Sequence, residues 1–178
     1  MRYAALLRGV NVGGNNRVPM AELRELALGL GWSDPVTYIA SGNLVFDAPR
    51  GRAPELAVKL EEAIAENLGV RCRVVVLTAA TVRTVAAAIP DEWVNDADRK
   101  TDVVYLIDGI SPRTAVAALD PREGVDHVVT APGAVIWMVR RADVTRSRLQ
   151  KFVGHPLYRQ STVRNANTAR KLAELVAR

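Results

Sequence analysis

The chain has 178 residues, of which 49% are hydrophobic and 24% are charged, as in an ordinary soluble globular protein of one domain or two small ones. The net charge is +5, and its distribution is uneven. Residues 139–178 hold ten Lys or Arg against two Asp or Glu, whereas residues 1–138 hold 14 against 17. This asymmetry favours an anionic partner, and the alternative is a solvated basic tail. No apolar run approaches the roughly 20 residues that cross a bilayer, and the first apolar stretch starts at Tyr3 without a charged leader, so we expect a cytoplasmic protein without a membrane partner.

The first 77 residues predict the element order β-α-β-β-α-β, which is that of a ferredoxin-like unit. Short apolar runs indicate the strands, and Gly31 and Gly69 end the two helices. Gly42-Asn43 is a hairpin-turn dipeptide, because both residues accept a positive φ. The predicted elements are strands at Tyr3–Gly9, Val36–Ala40, Leu44–Asp47 and 71–78, and helices at Pro19–Leu30 and Pro54–Leu68.

The second half predicts nearly the same order. Ser111 and Pro112 mark a helix start, and Pro132-Gly133 marks the turn of a second hairpin. The predicted elements are a linking helix at Ala79–Ala88, strands at Val103–Asp108, His127–Thr130 and Ala134–Val139, a helix at Val144–Phe152, a weak strand within 154–165, and a last helix from about Thr168 with Asn167 as its N-cap.

These elements predict an α+β fold of two ferredoxin-like (βαββαβ) halves with mainly antiparallel sheets and a C-terminal helix. The first half is residues 1–77. The second is residues 78–178, with the linking helix and the basic C-terminal segment, and we expect the two to form one compact unit.

The topology predicts a ligand site at one edge of the first sheet. The first two strands run parallel, so the Gly9–Arg17 loop and the 41–43 turn leave the sheet at the same edge. Glycines there allow close backbone approach, and the helix N-terminus behind the loop favours an anion. The donors that this placement could gather around one ligand belong to Asn11, Gly13, Gly14, Ser41, Gly42 and Asn43.

The Gly9–Arg17 loop has the glycine spacing of a P-loop, but asparagines follow where a P-loop has Lys and then Ser or Thr. Arg8 and Arg17 bracket the loop and predict a clamp for a carboxylate or a phosphate. In the structural alternative, Gly13-Gly14 only makes a tight turn, the asparagines cap the helix, and the arginines pair with nearby glutamates.

A second basic cluster precedes the last helix. Arg164 and Asn165 have no evident structural task in the sequence, and we predict that they form a second part of the ligand site. Arg146, Arg148 and Lys151 have only Asp143 near them in sequence, so their repulsion needs an anion from the fold or from a ligand.

Catalytic signatures are scarce. The sequence has no G-x-S-x-G or H-E-x-x-H motif, and its two histidines lack a second His or Cys at zinc-ligand spacing. The single cysteine, Cys72, excludes an intramolecular disulfide and is expected to be a buried strand thiol. Acidic residues between Asp91 and Asp102 could hold Mg²⁺ or be merely solvated. The sequence leaves any catalytic residue unknown, and we predict no metal or cofactor.

Three stretches resemble one family closely, namely residues 3–32, "TYIASGNLVF" at 37–46 and "STVRNANTARKLAEL" at 161–175. They are similar to the uncharacterised bacterial family numbered 1697 among domains of unknown function. The resemblance implies a ferredoxin-like α+β fold and a cytoplasmic bacterial protein, with no established activity, substrate or cofactor. Ala166 departs from the pattern, since relatives have an aromatic residue there. The positions that match the motifs are Arg8, Gly9, Asn11, Gly13, Gly14, Pro19, Ser41, Gly42, Asn43, Arg164, Asn165 and Thr168.

The leading hypothesis is a protein that binds a phosphate-bearing ligand, either a nucleotide or a nucleic acid, at the glycine and asparagine loop. One alternative is a transferase or hydrolase without a protein nucleophile, which a perturbed ionisable group in a pocket at this edge would favour. Another is a structural or interaction module, which a flat edge with internally paired arginines would favour. The sequence does not determine the oligomeric state.

Overall fold

Two four-stranded antiparallel sheets organise the chain. The computed structural model describes every residue except Asp108 and Val153, and Gln150 without its side chain. In the described residues the strands are β1 Arg2–Leu7, β2 Ser33–Thr37, β3 Asn43–Asp47, β4 Val74–Thr78, β5 Arg99–Leu106, β6 His127–Ala131, β7 Ala134–Arg140 and β8 Ser161–Asn165. The helices are α1 Met20–Gly29, α2 Ala53–Leu68, α3 Ala79–Ala87, α4 Pro112–Leu119, α5 Leu149–Phe152, α6 Pro156–Arg159 and α7 Ala166–Val176, with a 3₁₀ helix at Arg141–Arg146.

Both sheets have the ferredoxin-like strand order. The first runs β2-β3-β1-β4 and the second β6-β7-β5-β8, so the strands of each half take the same places. The predicted α+β fold with two such halves and a C-terminal helix is therefore confirmed. Two compact units divide the chain: the first unit is Met1–Val82 with Glu174–Arg178, and the second unit is Arg83–Ala173. Within the described residues, no helix combines the length and the apolar character needed to cross a membrane.

The core of the first unit lies between its sheet and the helices α1 and α2. Leu56, Leu60 and Ile64 are spaced four residues apart along α2, so they share one face and are buried. The α2 helix ends where Gly69 adopts a left-handed conformation, as its sequence predicts. Trp32 stacks on Phe46 of β3 with ring centroids 4.1 Å apart, which fixes the end of α1 against the sheet.

The second unit has its own core around Trp137 of β7, which is fully buried beside α4 and α5 residues. Ser111 caps α4 by accepting a hydrogen bond from the Thr114 backbone N–H, as predicted. Between β7 and β8 the single long helix of the first unit is replaced by a 3₁₀ helix and two helices of one turn each.

Buried Asp126 organises that irregular stretch. One carboxylate oxygen accepts hydrogen bonds from the Trp137 indole at 2.9 Å and from the Ser147 hydroxyl. The other accepts backbone N–H groups of Arg122 at 2.8 Å and Arg148 at 3.0 Å. Burial raises the pKa of Asp126, but these four hydrogen bonds together outweigh it and lower that pKa below its usual value.

Several predicted boundaries are wrong. The strand predicted at Val36–Ala40 instead covers Ser33–Thr37, so five residues rather than three join β2 to β3, and Asn43 of the predicted turn dipeptide begins β3. The helix predicted at Val144–Phe152 is broken, because Ser147 and the Arg148 N–H bond the Asp126 carboxylate instead of continuing the helix. The predicted strand end at Asp108 lies outside the described residues.

The cap of the last helix was also misassigned. The helix α7 begins at Ala166, and the Asn165 side-chain oxygen accepts the Thr168 backbone N–H at 2.8 Å. Asn165 therefore is the N-cap. Asn167, which the sequence predicted for that role, instead donates to the Asn95 carbonyl at 3.1 Å.

Candidate functional site

The Gly9–Arg17 loop folds as a miniature hairpin rather than as a P-loop. Val12 and Asn15 form an isolated antiparallel bridge, in which the Asn15 N–H donates to the Val12 carbonyl at 3.1 Å. Gly13 and Gly14 form the turn between them, and both have positive φ, at 59° and 81°. A two-residue turn with positive φ at both positions matches the twist of a hairpin, and glycine takes it without strain.

Asn11 fastens this hairpin to its surroundings. Its Nδ2 donates to the Val18 carbonyl at 2.9 Å and to the Ala40 carbonyl at 2.7 Å, and its Oδ1 accepts the Val18 N–H at 2.9 Å. The whole amide is therefore used within the fold. Asn16 contributes a further bond, from its Nδ2 to the Gly9 carbonyl at 3.1 Å.

The loop and the 41–43 turn lie at the same edge of the sheet, as the topology predicts. The Leu7 N–H donates to the Gly42 carbonyl at 2.8 Å. An added Cβ at Gly42 would lie 2.7 Å from both Leu7 Cβ and Val10 Cγ2, so only glycine fits this approach. The buried Asn43 amide donates to the Tyr38 carbonyl and the Ser41 hydroxyl, at 2.9 and 3.0 Å. The turn residues thus hold the edge together.

An open pocket of about 450 Å³ lies beside the base of the hairpin, within the first unit. It is the size of an ordinary small-molecule site. Three arginines contribute to its wall, Arg8, Arg71 and Arg73. The rest of the lining comes from Gly9, Asn16, Glu61, Glu62, Ala65 and Cys72.

Glu61 holds one of these arginines in place. Its Oε1 accepts the Arg73 Nε at 3.2 Å and the Val74 backbone N–H at 2.7 Å. The Arg8 N–H donates to the Arg73 carbonyl at 2.8 Å, so the ends of β1 and β4 are tied together. Arg71 is exposed, and no carboxylate in the described part of the chain forms an ion pair with it.

Cys72 lies in this pocket between two arginines rather than within a strand, because β4 begins only at Val74. Burial, and secondarily the Glu61 carboxylate, raise the pKa of the Cys72 thiol to about 11. The thiol is therefore protonated at neutral pH and supplies no thiolate nucleophile.

Sequence reasoning missed Arg71, Cys72 and Arg73, because it considered only strands that leave the sheet at this edge. In the ferredoxin-like order β4 pairs antiparallel with β1, with Leu7 opposite Val74. The start of β4 therefore lies at the end of β1. The closely spaced charges of "RCR" directly before an apolar run were the signal that could have found them.

The remaining predicted site residues are distributed over both units. Arg17 is exposed at the end of the hairpin segment in the first unit, and Gly13 and Gly14 are exposed at the hairpin turn. In the second unit, Arg164 is 8% exposed and donates to Thr162 Oγ1 at 2.9 Å and the Val163 carbonyl at 2.8 Å. Burial lowers the pKa of Arg164 to about 10 despite the opposing effect of Tyr105. A ligand-binding role for Arg164 and Asn165 stays a prediction.

The fold itself supplies anions to part of the basic C-terminal segment. Arg146 pairs with Asp143 at 2.8 Å, and Arg148 pairs with Asp120 at 3.5 Å. These two aspartates reduce the charge repulsion around Arg146 and Arg148 without a ligand. Across the described residues, no cluster of three or more His, Cys, Asp or Glu is arranged to hold a metal ion.

Comparison with known proteins identifies the family. A family model described as "Protein of unknown function (DUF1697)" matches residues 1–137. The chain belongs to this family. The match includes the hairpin, the 41–43 turn and the pocket of the first unit, so these features lie in the part of the chain that the family model covers.

A solved structure extends the likeness over the whole chain. The DUF1697 chain is similar to the conserved bacterial protein SP0830 from Streptococcus pneumoniae, with 27% sequence identity and a TM-score of 0.84. The similarity covers 98% of each chain. A search of curated proteins finds no match. Ala166, where the chain departs from the family pattern, is fully buried at the start of α7. It is therefore a packing position in the second unit.

Proposed function

We propose that the protein binds a small phosphate-bearing molecule of the nucleotide class in the pocket of the first unit. The observation that carries this proposal is the convergence of Arg8, Arg71 and Arg73 on one open pocket of about 450 Å³. Guanidinium groups match the paired oxygens of a phosphate, and a pocket of this volume accepts a mononucleotide rather than a polymer.

The lining suits both parts of such a ligand. Arg8 and Arg71 would bind the phosphate, and Gly9, with no atom within 4 Å of an added Cβ, leaves the backbone open to approach. Ala65 and the protonated Cys72 offer an apolar surface to a base or sugar. The amides of Asn11 and Asn43, which the sequence predicts as donors to the ligand, instead donate to backbone carbonyls of this sheet edge.

The pocket favours binding over a purely structural role, since a structural module needs no cavity at this edge. The Cys72 thiol, with its raised pKa, is a perturbed ionisable group in this pocket, as the enzyme alternative requires, but a protonated thiol is a poor nucleophile and fits only a transferase or hydrolase without a protein nucleophile. The paired arginines of the C-terminal segment also reduce the charge available to a nucleic acid.

Calorimetric titration with ATP, AMP and adenosine tests the proposal. We expect ATP to bind and adenosine not to, and Arg71→Gln to weaken ATP binding by at least about tenfold, the effect of losing one charge-assisted hydrogen bond. Arg50→Gln, an exposed arginine of the same unit outside the pocket lining, is the matched control. Equal ATP affinity in the wild type, Arg71→Gln and Arg8→Gln would remove the site.

A further inference from the structure

The second unit contains a separate cluster of arginines at the end of its sheet. In the antiparallel pairing of β5 with β7, Arg99 stands directly opposite Arg140. Directly paired residues project from the same face of a sheet, so two like charges are neighbours there, which is destabilising. Arg141 follows immediately and adds a third guanidinium group.

Direct ion pairs do not offset this cluster within the described part of the chain. Among the residues that the structure describes, none forms an ion pair within 4.0 Å with Arg99, Arg140 or Arg141. Their neighbours along the chain differ, because Arg146 and Arg148 each have an aspartate partner. The three arginines therefore lie next to one another without an ion-pair partner among the described residues.

Of the nearby aspartates, Asp102 pairs with Lys100 at 3.3 Å and also interacts electrostatically with Arg141, whereas Asp96 bonds the backbone and Asp98 lies at the rim. Asp96 Oδ1 accepts the N–H groups of Asp98 at 2.9 Å and Arg99 at 2.8 Å. These bonds, with smaller contributions from Arg99 and Arg141, lower the pKa of Asp96, so its carboxylate stays ionised as a turn-forming group. Asp98 is exposed and contributes the one carboxylate that lines the pocket described next.

The cluster surrounds an open pocket of about 420 Å³. Arg141 is positioned by its backbone N–H, which donates to the Asp98 carbonyl at 2.9 Å, and by its Nε, which donates to the Asp96 carbonyl. Its Nη groups are left for another acceptor. Ala97 and Ala142 complete the lining with short side chains, which leaves room for a group between the guanidiniums.

We propose that this pocket of Ala97, Asp98, Arg99, Arg140, Arg141 and Ala142 is an anion site for a phosphomonoester or diphosphate group. Guanidinium forks pair with phosphate oxygens through two parallel hydrogen bonds, and a dianion between Arg99 and Arg140 converts their repulsion into attraction. The single Asp98 carboxylate at the rim repels an anion. A carboxylate ligand, with one negative charge, gains less attraction from the arginines to offset that repulsion than a phosphate dianion does. The site belongs to the second unit and does not depend on the pocket of the first.

Titration with inorganic pyrophosphate in an Arg71→Gln background tests this site apart from the first. We expect Arg140→Gln to weaken pyrophosphate binding by at least about tenfold, as loss of a charge-assisted hydrogen bond implies. Arg113→Gln, an exposed arginine of the same unit outside the pocket, should change the affinity less than about twofold. The amide resonances of Ala97 and Ala142 should shift on binding.

Thermal unfolding without phosphate gives the second readout. Here Arg140→Gln, which should weaken pyrophosphate binding, should instead stabilise the protein. At low salt, Arg140→Gln should raise the Tm by about 1–2 °C, because it removes a like-charge cross-strand neighbour. The same variant should reduce the Tm increase that a given pyrophosphate concentration produces in the Arg71→Gln background. The proposal is overturned if pyrophosphate binds Arg140→Gln with unchanged affinity, if Arg113→Gln weakens binding equally, or if Arg140→Gln lowers the Tm.

Discussion

Gly42 is the residue at which the edge of the first sheet leaves no room for a side chain. Its φ is +76°, and an added Cβ would meet Leu7 and Val10 at 2.7 Å. We expect Gly42→Ala to lower the free energy of unfolding by about 3 kcal/mol, since overpacking adds to backbone strain. Urea denaturation measures it.

Gly14→Ala is the control for Gly42→Ala. Gly14 has a comparable φ of +81° but nothing within 4 Å of an added Cβ, so only the backbone term of about 1 kcal/mol applies. Equal losses for the two variants would show that the close approach at Gly42 does not matter.

Asp126 makes the stability of the second unit depend on pH. Its folded pKa is lowered, so the carboxylate contributes stability that is fully present above the unfolded pKa of about 3.9 and is lost as the pH falls through the folded pKa. Asp126→Asn should cost about 3 kcal/mol at pH 7, because an amide cannot accept all four donors. The difference from the wild type should be the same at pH 5 and shrink below about pH 4.

Asp143→Asn serves as the control for Asp126→Asn. It removes the partly exposed i,i+3 partner of the exposed Arg146 and should change stability by about 0.5 kcal/mol or less. Denaturation curves at several pH values distinguish the two. A loss in Asp126→Asn that persists unchanged to pH 2 contradicts the role of the ionised carboxylate.

At the scale of elements, the start of α7 tests the reassigned cap. Asn165→Ala should cost about 1 kcal/mol, since the Thr168 N–H loses its acceptor. Asn167→Ala removes only an exposed bond to Asn95 and should cost a few tenths of a kcal/mol. The reverse order, measured by thermal unfolding, would restore Asn167 as the cap.

Elements whose signals are local were predictable from the sequence. The spacing of Leu56, Leu60 and Ile64 and the stop at Gly69 located α2 to within one residue, and Ser111 identified the start of α4. These features depend on bonds between residues at most four apart.

Elements set by distant contacts were not predictable in this way. The break after the 3₁₀ helix requires the Asp126 carboxylate, 21 residues before Ser147. The pocket arginines Arg71 and Arg73 meet Arg8 only after β4 pairs with β1. Asn11 resembles a ligand-binding group in the sequence, but its acceptors at Val18 and Ala40 become visible only in the folded edge.

At the scale of the whole molecule, the excess positive charge is not all available to one ligand. Part of it is paired, as at Arg146 and Arg148, and part is buried, as at Arg164. Two groups of arginines line small pockets, one in each unit, while others such as Arg17, Arg50 and Arg113 are exposed outside them. This distribution favours compact phosphate-bearing ligands over a long polyanion, whose binding needs many exposed charges along a surface.

The central claim is that a phosphate-bearing molecule occupies the pocket of the first unit, and protection of Cys72 from alkylation tests it most directly. Cys72 lines that pocket and is the single cysteine of the chain. Iodoacetamide should react slowly at pH 8 and faster towards pH 10, because the thiolate fraction grows up to the pKa of about 11. Saturating ATP should slow the reaction at least about fivefold in the wild type by covering the thiol and disfavouring the thiolate. Adenosine should not slow it, and Arg71→Gln should shift the half-protecting ATP concentration upward by at least about tenfold. An alkylation rate that ATP leaves unchanged at every concentration would contradict the proposed function.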